Sequence, residues 1–164
     1  MKKKLENQGM NERIWTWAFV QLFLINSLSS LGHFMMNTLT PHYAEQLGAS
    51  PSTVGVVASA FAITALAVRP VVGPATTSFR NNRLFAAGNA IILASFLVYM
   101  VSSNVPTLIV GRLLQGIGMG FLAPVSMAMV SEVLPPGRFA SGMGIFSLGQ
   151  AIAMAIGPSA GLAV

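Results

Sequence analysis

The sequence predicts an all-α membrane protein with about five transmembrane helices, and three observations predict it. First, 54% of the 164 residues are hydrophobic and 8% are charged. A soluble domain carries about 25% charged residues, so this chain lacks the polar surface that water demands. Second, apolar runs of roughly 20 residues, the length that crosses a bilayer, alternate with short stretches rich in Pro, Gly, Ser and Asn. Third, if each run crosses once, Lys2, Lys3, Lys4, Arg13, Arg69, Arg80, Arg83 and Arg138 all fall on the side of the N-terminus. That is a positive-inside pattern with the N-terminus cytoplasmic.

The composition also excludes function classes. There is no cysteine, which removes disulfides, thiolate catalysis and cysteine metal sites. There is no aspartate, and the acids are Glu6, Glu12, Glu45 and Glu132. A carboxylate dyad inside the membrane is not available, and no metal site is expected. The net charge of +5 could point to nucleic acid, but a binding patch clusters its cations on a solvated face. Here they punctuate apolar runs, so no nucleic-acid partner is expected and the bilayer is the partner.

Residues 1–13 form a polar cytoplasmic segment, and residues 14–164 the transmembrane bundle. The first apolar run, about 14–40, is too long for a signal peptide and lacks a small-residue cleavage site. Asn26, Ser30, His33 and Asn37 follow one another at helical spacing and share one face. A polar stripe on a spanning helix lines a cavity or bonds a neighbouring helix. His33 is the one imidazole in a predicted span. It either carries a proton or is a neutral structural histidine.

A loop with Pro and Gly breakers follows from Pro41 to Ser52. Ser50 and Pro51 read as N-cap and first helical residue. The second helix covers about 52–72, with Gly55, Ser59 and Ala62 as a small-residue packing face and Arg69 near its end. A polar loop over 73–83 leads to a charge-free third helix, about 84–102. The fourth helix, about 106–130, holds GRLLQGIGMG, Gly111 to Gly120. Arg112 is its one full charge, and an arginine at a membrane helix centre costs roughly 2.5–3.5 kcal/mol on insertion scales. Such a residue faces a polar interior, or it snorkels to the interface. Gln115 lies one turn on, on the same face. Gly116 and Gly120 form a smooth strip on an adjacent face, where another helix can approach. The glycines do not form a nucleotide loop, because no βαβ unit accompanies them. The fifth helix, 139–164, repeats Gly149, Ala153, Gly157 and Gly161 at four-residue spacing, a small-xxx-small seam. Pro158 within it frees a carbonyl and is expected to bend the helix.

Four stretches in order resemble the major facilitator superfamily, and its proton-coupled drug-exporter branch in particular. Tyr43 to Gly55 looks like the family's first outer loop leading into helix 2, and Arg69 to Gly73 like the end of helix 2. Arg112 to Gly120 matches the family's helix 4 motif, R-x-x-Q-G-x-G-x-G/A, and Gly157 to Gly161 the G-P-x-x-G core of its helix 5 motif. The loop between helices 2 and 3 departs from the family pattern G-x-x-x-D-R-x-G-R-R. Gly73 is kept, Thr77 stands at the aspartate position and Arg80 at the glycine, and only Arg80 and Arg83 keep the positive character. In the family that aspartate joins a charge network that locks one access state, and Thr77 cannot carry its charge.

The resemblance implies five helices of an N-terminal half, truncated before helix 6, within a family of twelve helices in two halves. It implies a secondary active transporter that exports small amphipathic molecules in exchange for protons. Arg112, Gln115, His33, Asn26, Ser30 and Asn37 would line the substrate and proton pathway, and helix 5 would supply a seam between the halves. The proton gradient is the expected energy source, with no cofactor. The expected partners are the lipid bilayer, a small-molecule substrate and the missing C-terminal half, in a bacterial inner membrane. A non-transporting membrane subunit packing through its glycine seams is the alternative. An intramembrane enzyme is disfavoured by the absence of Asp and Cys.

Overall fold

The computed structural model describes residues 13–78 and 80–163. The segment carrying Lys2, Lys3 and Lys4, with Phe79 and Val164, lies outside the described residues. Helix α1 is Trp17–Gln46, with Thr16 accepting from the Phe19 N–H at 3.3 Å as N-cap. It continues past the boundary expected near residue 40, straight through Pro41. An interior proline removes one backbone hydrogen bond, and the carbonyl it strands, that of Asn37, has another donor, described below. The chain turns at Gly48, whose φ of 78° is left-handed and suits a residue without Cβ.

Helix α2 is Pro51–Ser78. Ser50 Oγ accepts from the Thr53 N–H at 3.4 Å, so Ser50 and Pro51 start the helix as their chemistry predicts. The end differs from expectation. The helix runs through Pro70 and Pro74, where Thr76 Oγ1 donates to the Gly73 carbonyl at 2.7 Å. Gly73 and Thr77 are therefore helical, Arg80 is the N-cap residue of α3 (Asn81–Met100), and Arg83 lies in its first turn. The expected polar loop over 73–83 shrinks accordingly. Arg69 is exposed and sits more than two turns before the end of α2. Helix α4 is Val105–Val133, capped by Asn104 Oδ1 accepting from the Thr107 N–H at 3.0 Å. After a short 3-10 turn over Pro136–Arg138, α5 runs Phe139–Leu162, unbroken through Pro158.

These five helices are long and apolar enough to cross a membrane. Large apolar side chains such as Leu28, Ile63, Leu66, Leu93, Leu97 and Ile152 point outward, which suits a hydrocarbon surround. Helix α4 is the hub: it packs against α3, α2 and α1, while α1 pairs with α5. Two apolar clusters result. The larger includes Phe19, Leu22, Val72, Phe85, Leu122, Val125, Val130 and Phe146. The smaller, at the opposite end, is Ala44, Val57 and Leu108, with Tyr43, Tyr99 and Ile109 against it.

Glycines set the close approaches. A Cβ on Gly116 would collide with Thr64 Oγ1 and the Phe61 carbonyl of α2, and one on Gly120 would lie 3.1 Å from the Ala65 carbonyl. Gly118 faces α3, where its Cβ would be 3.1 Å from the Gly88 carbonyl. On α5, Gly149, Ala153, Gly157 and Gly161 are all buried, the glycines against Phe23, Ser27, Phe34 and Met35 of α1. The α5 seam, expected between two halves, thus closes on α1 within this chain, because α1 offers the matching knobs. Gly55, Ser59 and Ala62 of α2 are exposed. The packing expected of them is made instead by Phe61, Thr64, Ala65 and Val68, one face around, because Gly116 and Gly120 meet that face.

Candidate functional site

Arg112 enters the fold seven residues after the first residue of α4, about 10 Å along its axis at 1.5 Å per residue. Its side chain is 0% exposed, as is that of Gln115. The snorkelling alternative therefore does not describe it, because a fully buried guanidinium reaches no interface. The apolar cluster of Ala44, Val57 and Leu108 separates it from the nearer end of the bundle.

Every hydrogen-bond partner found for this cation is neutral. Nη1 donates to Gln115 Oε1 at 3.3 Å, and Nη2 donates to Asn37 twice, to Oδ1 at 3.2 Å and to the main-chain carbonyl at 3.4 Å. That carbonyl is free because Pro41, four residues on, has no N–H to offer it. The same proline that leaves a gap in the α1 ladder thus supplies an acceptor for the charge. Tyr99 of α3 completes the group: its O–H donates to Gln115 Oε1 at 3.0 Å. Gly111 makes this possible, since a Cβ there would run into the Tyr99 ring. Among the described residues the acids are Glu45 and Glu132. Glu45 lies 3.8 Å from His42 and Glu132 accepts from Asn81 at 2.8 Å, both at helix ends. No described carboxylate bonds Arg112.

The α1 stripe divides. Asn26 and Ser30 are buried, His33 is half-buried and Asn37 is exposed. The structure joins Asn37, Arg112 and Gln115, and leaves Asn26 and Ser30 further along α1. The His33 ring lies tilted against Phe61 and Phe34, with centroids 4.5 Å and 5.1 Å away, and its Nδ1 is buried and unpartnered. The loop-motif residues Gly73, Thr77, Arg80 and Arg83 belong to the end of the bundle that holds the larger apolar cluster, away from this layer.

Sequence reasoning missed Tyr99, Pro41 and Gly111. For Pro41 a signal existed: a proline four residues after a polar stripe residue strands that residue's carbonyl on the same face. Tyr99 had none, because its span carries no motif and nothing in α3 predicts a partner on α4. An open, mainly apolar cleft of about 450 Å³ lies beside the layer, with Met36, Thr40, Tyr43, Phe96, Tyr99 and Leu108 in its walls.

The chain matches the Major Facilitator Superfamily over residues 22–164. An uncharacterized MFS-type transporter, YhcA, of Bacillus subtilis is 29% identical over 132 residues, covering 80% of this chain and 25% of the relative. "Putative multidrug resistance protein MdtD" of Salmonella paratyphi B is 25% identical over 151 residues, covering 92% of this chain and 32% of the relative. The protein of the same name in Salmonella typhi has the same identity and coverage. The chain thus spans about a quarter to a third of the length of these relatives.

Proposed function

The chain belongs to the major facilitator superfamily, and on that premise we propose that it forms the N-terminal part of a secondary active transporter. The transporter exports small amphipathic molecules by alternating access, with the proton gradient as energy source and without a cofactor. Its activity is transport, not catalysis. The relatives named as a transporter and as a multidrug resistance protein support the reading.

The observation that carries it is the wholly buried Arg112, held by neutral acceptors alone. Burying a charge costs several kcal/mol even after relaxation, so its retention in an apolar helix calls for a use. A cation held this way responds strongly to any charge arriving nearby, because the local dielectric is low. Proton uptake or release beside Arg112 would shift the balance between access states. Gln115 and Tyr99 hold the guanidinium in place, and Asn37, exposed on α1, presents it to a C-terminal half. His33, Ser30 and Asn26 continue the path along α1. In this reading the two halves rock about a midplane site.

Proton-driven transport by full-length variants at matched membrane abundance tests the proposal. Arg112→Lys and Arg112→Gln should both insert and both lose coupled transport, since lysine lacks the planar fork of donors. Full activity in Arg112→Gln would remove Arg112 from the mechanism. The orientation belongs to the same proposal, with the N-terminus cytoplasmic in a bacterial inner membrane. The cysteine-free background allows single-site labelling. A cysteine at Ala49 should react with an impermeant reagent from outside and one at Asn82 should not; the reverse pattern would overturn the topology.

A further inference from the structure

The hydrogen-bonding inventory around Arg112 is lopsided. Arginine offers only N–H donors, so Gln115 must turn its carbonyl oxygen toward the guanidinium. That oxygen accepts from both Arg112 and Tyr99. The amide nitrogen of Gln115 then points the other way, and it is buried without an acceptor. Arg112 Nε is likewise buried and unpartnered. Both side chains are 0% exposed. The layer therefore holds a full positive charge and unused donors on two adjacent side chains, and among the described residues the acceptors near them are neutral: Asn37, the Gln115 amide oxygen and the Tyr99 phenol. No described carboxylate balances it.

We propose that Arg112 and Gln115 form a carboxylate-binding subsite, and that the transported molecule is an amphipathic organic anion. A carboxylate matches the deficit: it is acceptor-only and negatively charged, and it takes parallel N–H bonds from a guanidinium. The apolar cleft of about 450 Å³ beside the layer accommodates the rest of the molecule. Tyr99 connects the two parts, since its ring walls the cleft and its O–H bonds Gln115. An anion entering from the cleft displaces the phenol from Gln115 to reach the guanidinium. Among the described residues no carboxylate lies beside the cleft to pair an organic cation, since Glu45 and Glu132 stand at helix ends.

This inference rests on the transport reading, and its test is separate because it uses equilibrium binding without any gradient. Full-length protein in detergent at pH 7.5 is titrated with 1-pyrenebutyrate, with the matching alcohol and with the matching quaternary ammonium, and ligand-dependent thermal stabilisation is read. The three probes share one apolar body, so micelle partitioning is judged from the alcohol. The carboxylate should bind at least tenfold more tightly than either of the others. Arg112→Gln should abolish that preference, and Arg112→Lys should weaken it without reversing it. Gln115→Glu is the variant that guards against misfolding: it supplies an internal carboxylate beside Arg112, should fold at least as well, and should lose the preference for the anionic probe. Equal binding of the three probes overturns the proposal, and is also the result expected if a carboxylate from elsewhere in the protein already occupies the donors. Preference for the ammonium, or a carboxylate preference that survives in both Arg112→Gln and Gln115→Glu, overturns it as well.

Discussion

Helices α4 and α5 carry the same small-residue spacing and use it differently. On α5, Gly149, Ala153, Gly157 and Gly161 form one stripe, and α1 covers it. On α4 the glycines face two ways, Gly116 and Gly120 toward α2 and Gly111 and Gly118 toward α3. The remaining face of α4 carries Arg112 toward Asn37 of α1, with Gln115 bonded between it and Tyr99 of α3. A helix gripped on two sides at backbone distance holds its third face rigidly, which a buried charge requires: acceptors at 3.2–3.4 Å tolerate little drift. The α5 seam assembles the bundle, whereas the α4 glycines also aim a side chain.

The largest expected effect is on either seam. A leucine at Gly116 meets the backbone carbonyl of Phe61, and one at Gly157 meets Phe34 and the Met35 backbone. Backbone cannot rotate away as a side chain can, so Gly116→Leu and Gly157→Leu should each lose about 3 kcal/mol or fail to fold. Ala153→Leu should behave alike, whereas Ile152→Leu, with its side chain 56% exposed, should stay within about 0.5 kcal/mol. Thermal unfolding in detergent reads all four, and equal tolerance would show that neither stripe is a contact.

A pair of alanine substitutions sharpens the comparison. In Gly111→Ala the new methyl displaces the Tyr99 ring, and in Gly149→Ala it displaces Ser27 and Phe23. Both should cost on the order of 1–3 kcal/mol. Transport per folded molecule should fall about tenfold in Gly111→Ala, the equivalent of one lost hydrogen bond of about 1.4 kcal/mol, and hold in Gly149→Ala. Loss of transport in both would erase the distinction between α4 and α5.

Pro41→Ala is a subtler test. The new N–H competes with Arg112 for the Asn37 carbonyl, so α1 gains a bond as the guanidinium loses one. Intramembrane hydrogen bonds average about 0.6 kcal/mol, so stability should barely move while transport falls roughly two- to threefold. Unchanged transport would show that the side-chain oxygen of Asn37 suffices. Gly55→Leu should have the smallest effect, within about 0.5 kcal/mol in the same unfolding measurement, because nothing lies within 4 Å of a Cβ there.

Much of this was legible in the amino-acid order. The five spans were legible because apolar length against bilayer thickness is a local property. The shared face of Arg112 and Gln115 was legible because helical periodicity alone places residues three apart together. Boundaries were less so. Proline at 41, 70 and 74 reads as a breaker, yet all three lie inside helices, and at Pro41 a donor from another helix, Arg112, takes the carbonyl that a lone helix would leave open.

Which faces meet was decided only by tertiary structure. Small residues at Gly55, Ser59 and Ala62 announce a packing face as clearly as those of α5, but the first set is exposed and the second meets α1. Helix spacing says that a face is smooth; it does not say which neighbour has the knobs. The site follows the same division. The chain order determined that a charge sits in α4, with an amide one turn away. That Asn37, its carbonyl freed by Pro41, and Tyr99 converge there from α1 and α3 depended on how far each helix slides along α4, and for α3 the close contacts at Gly111 and Gly118 set that distance.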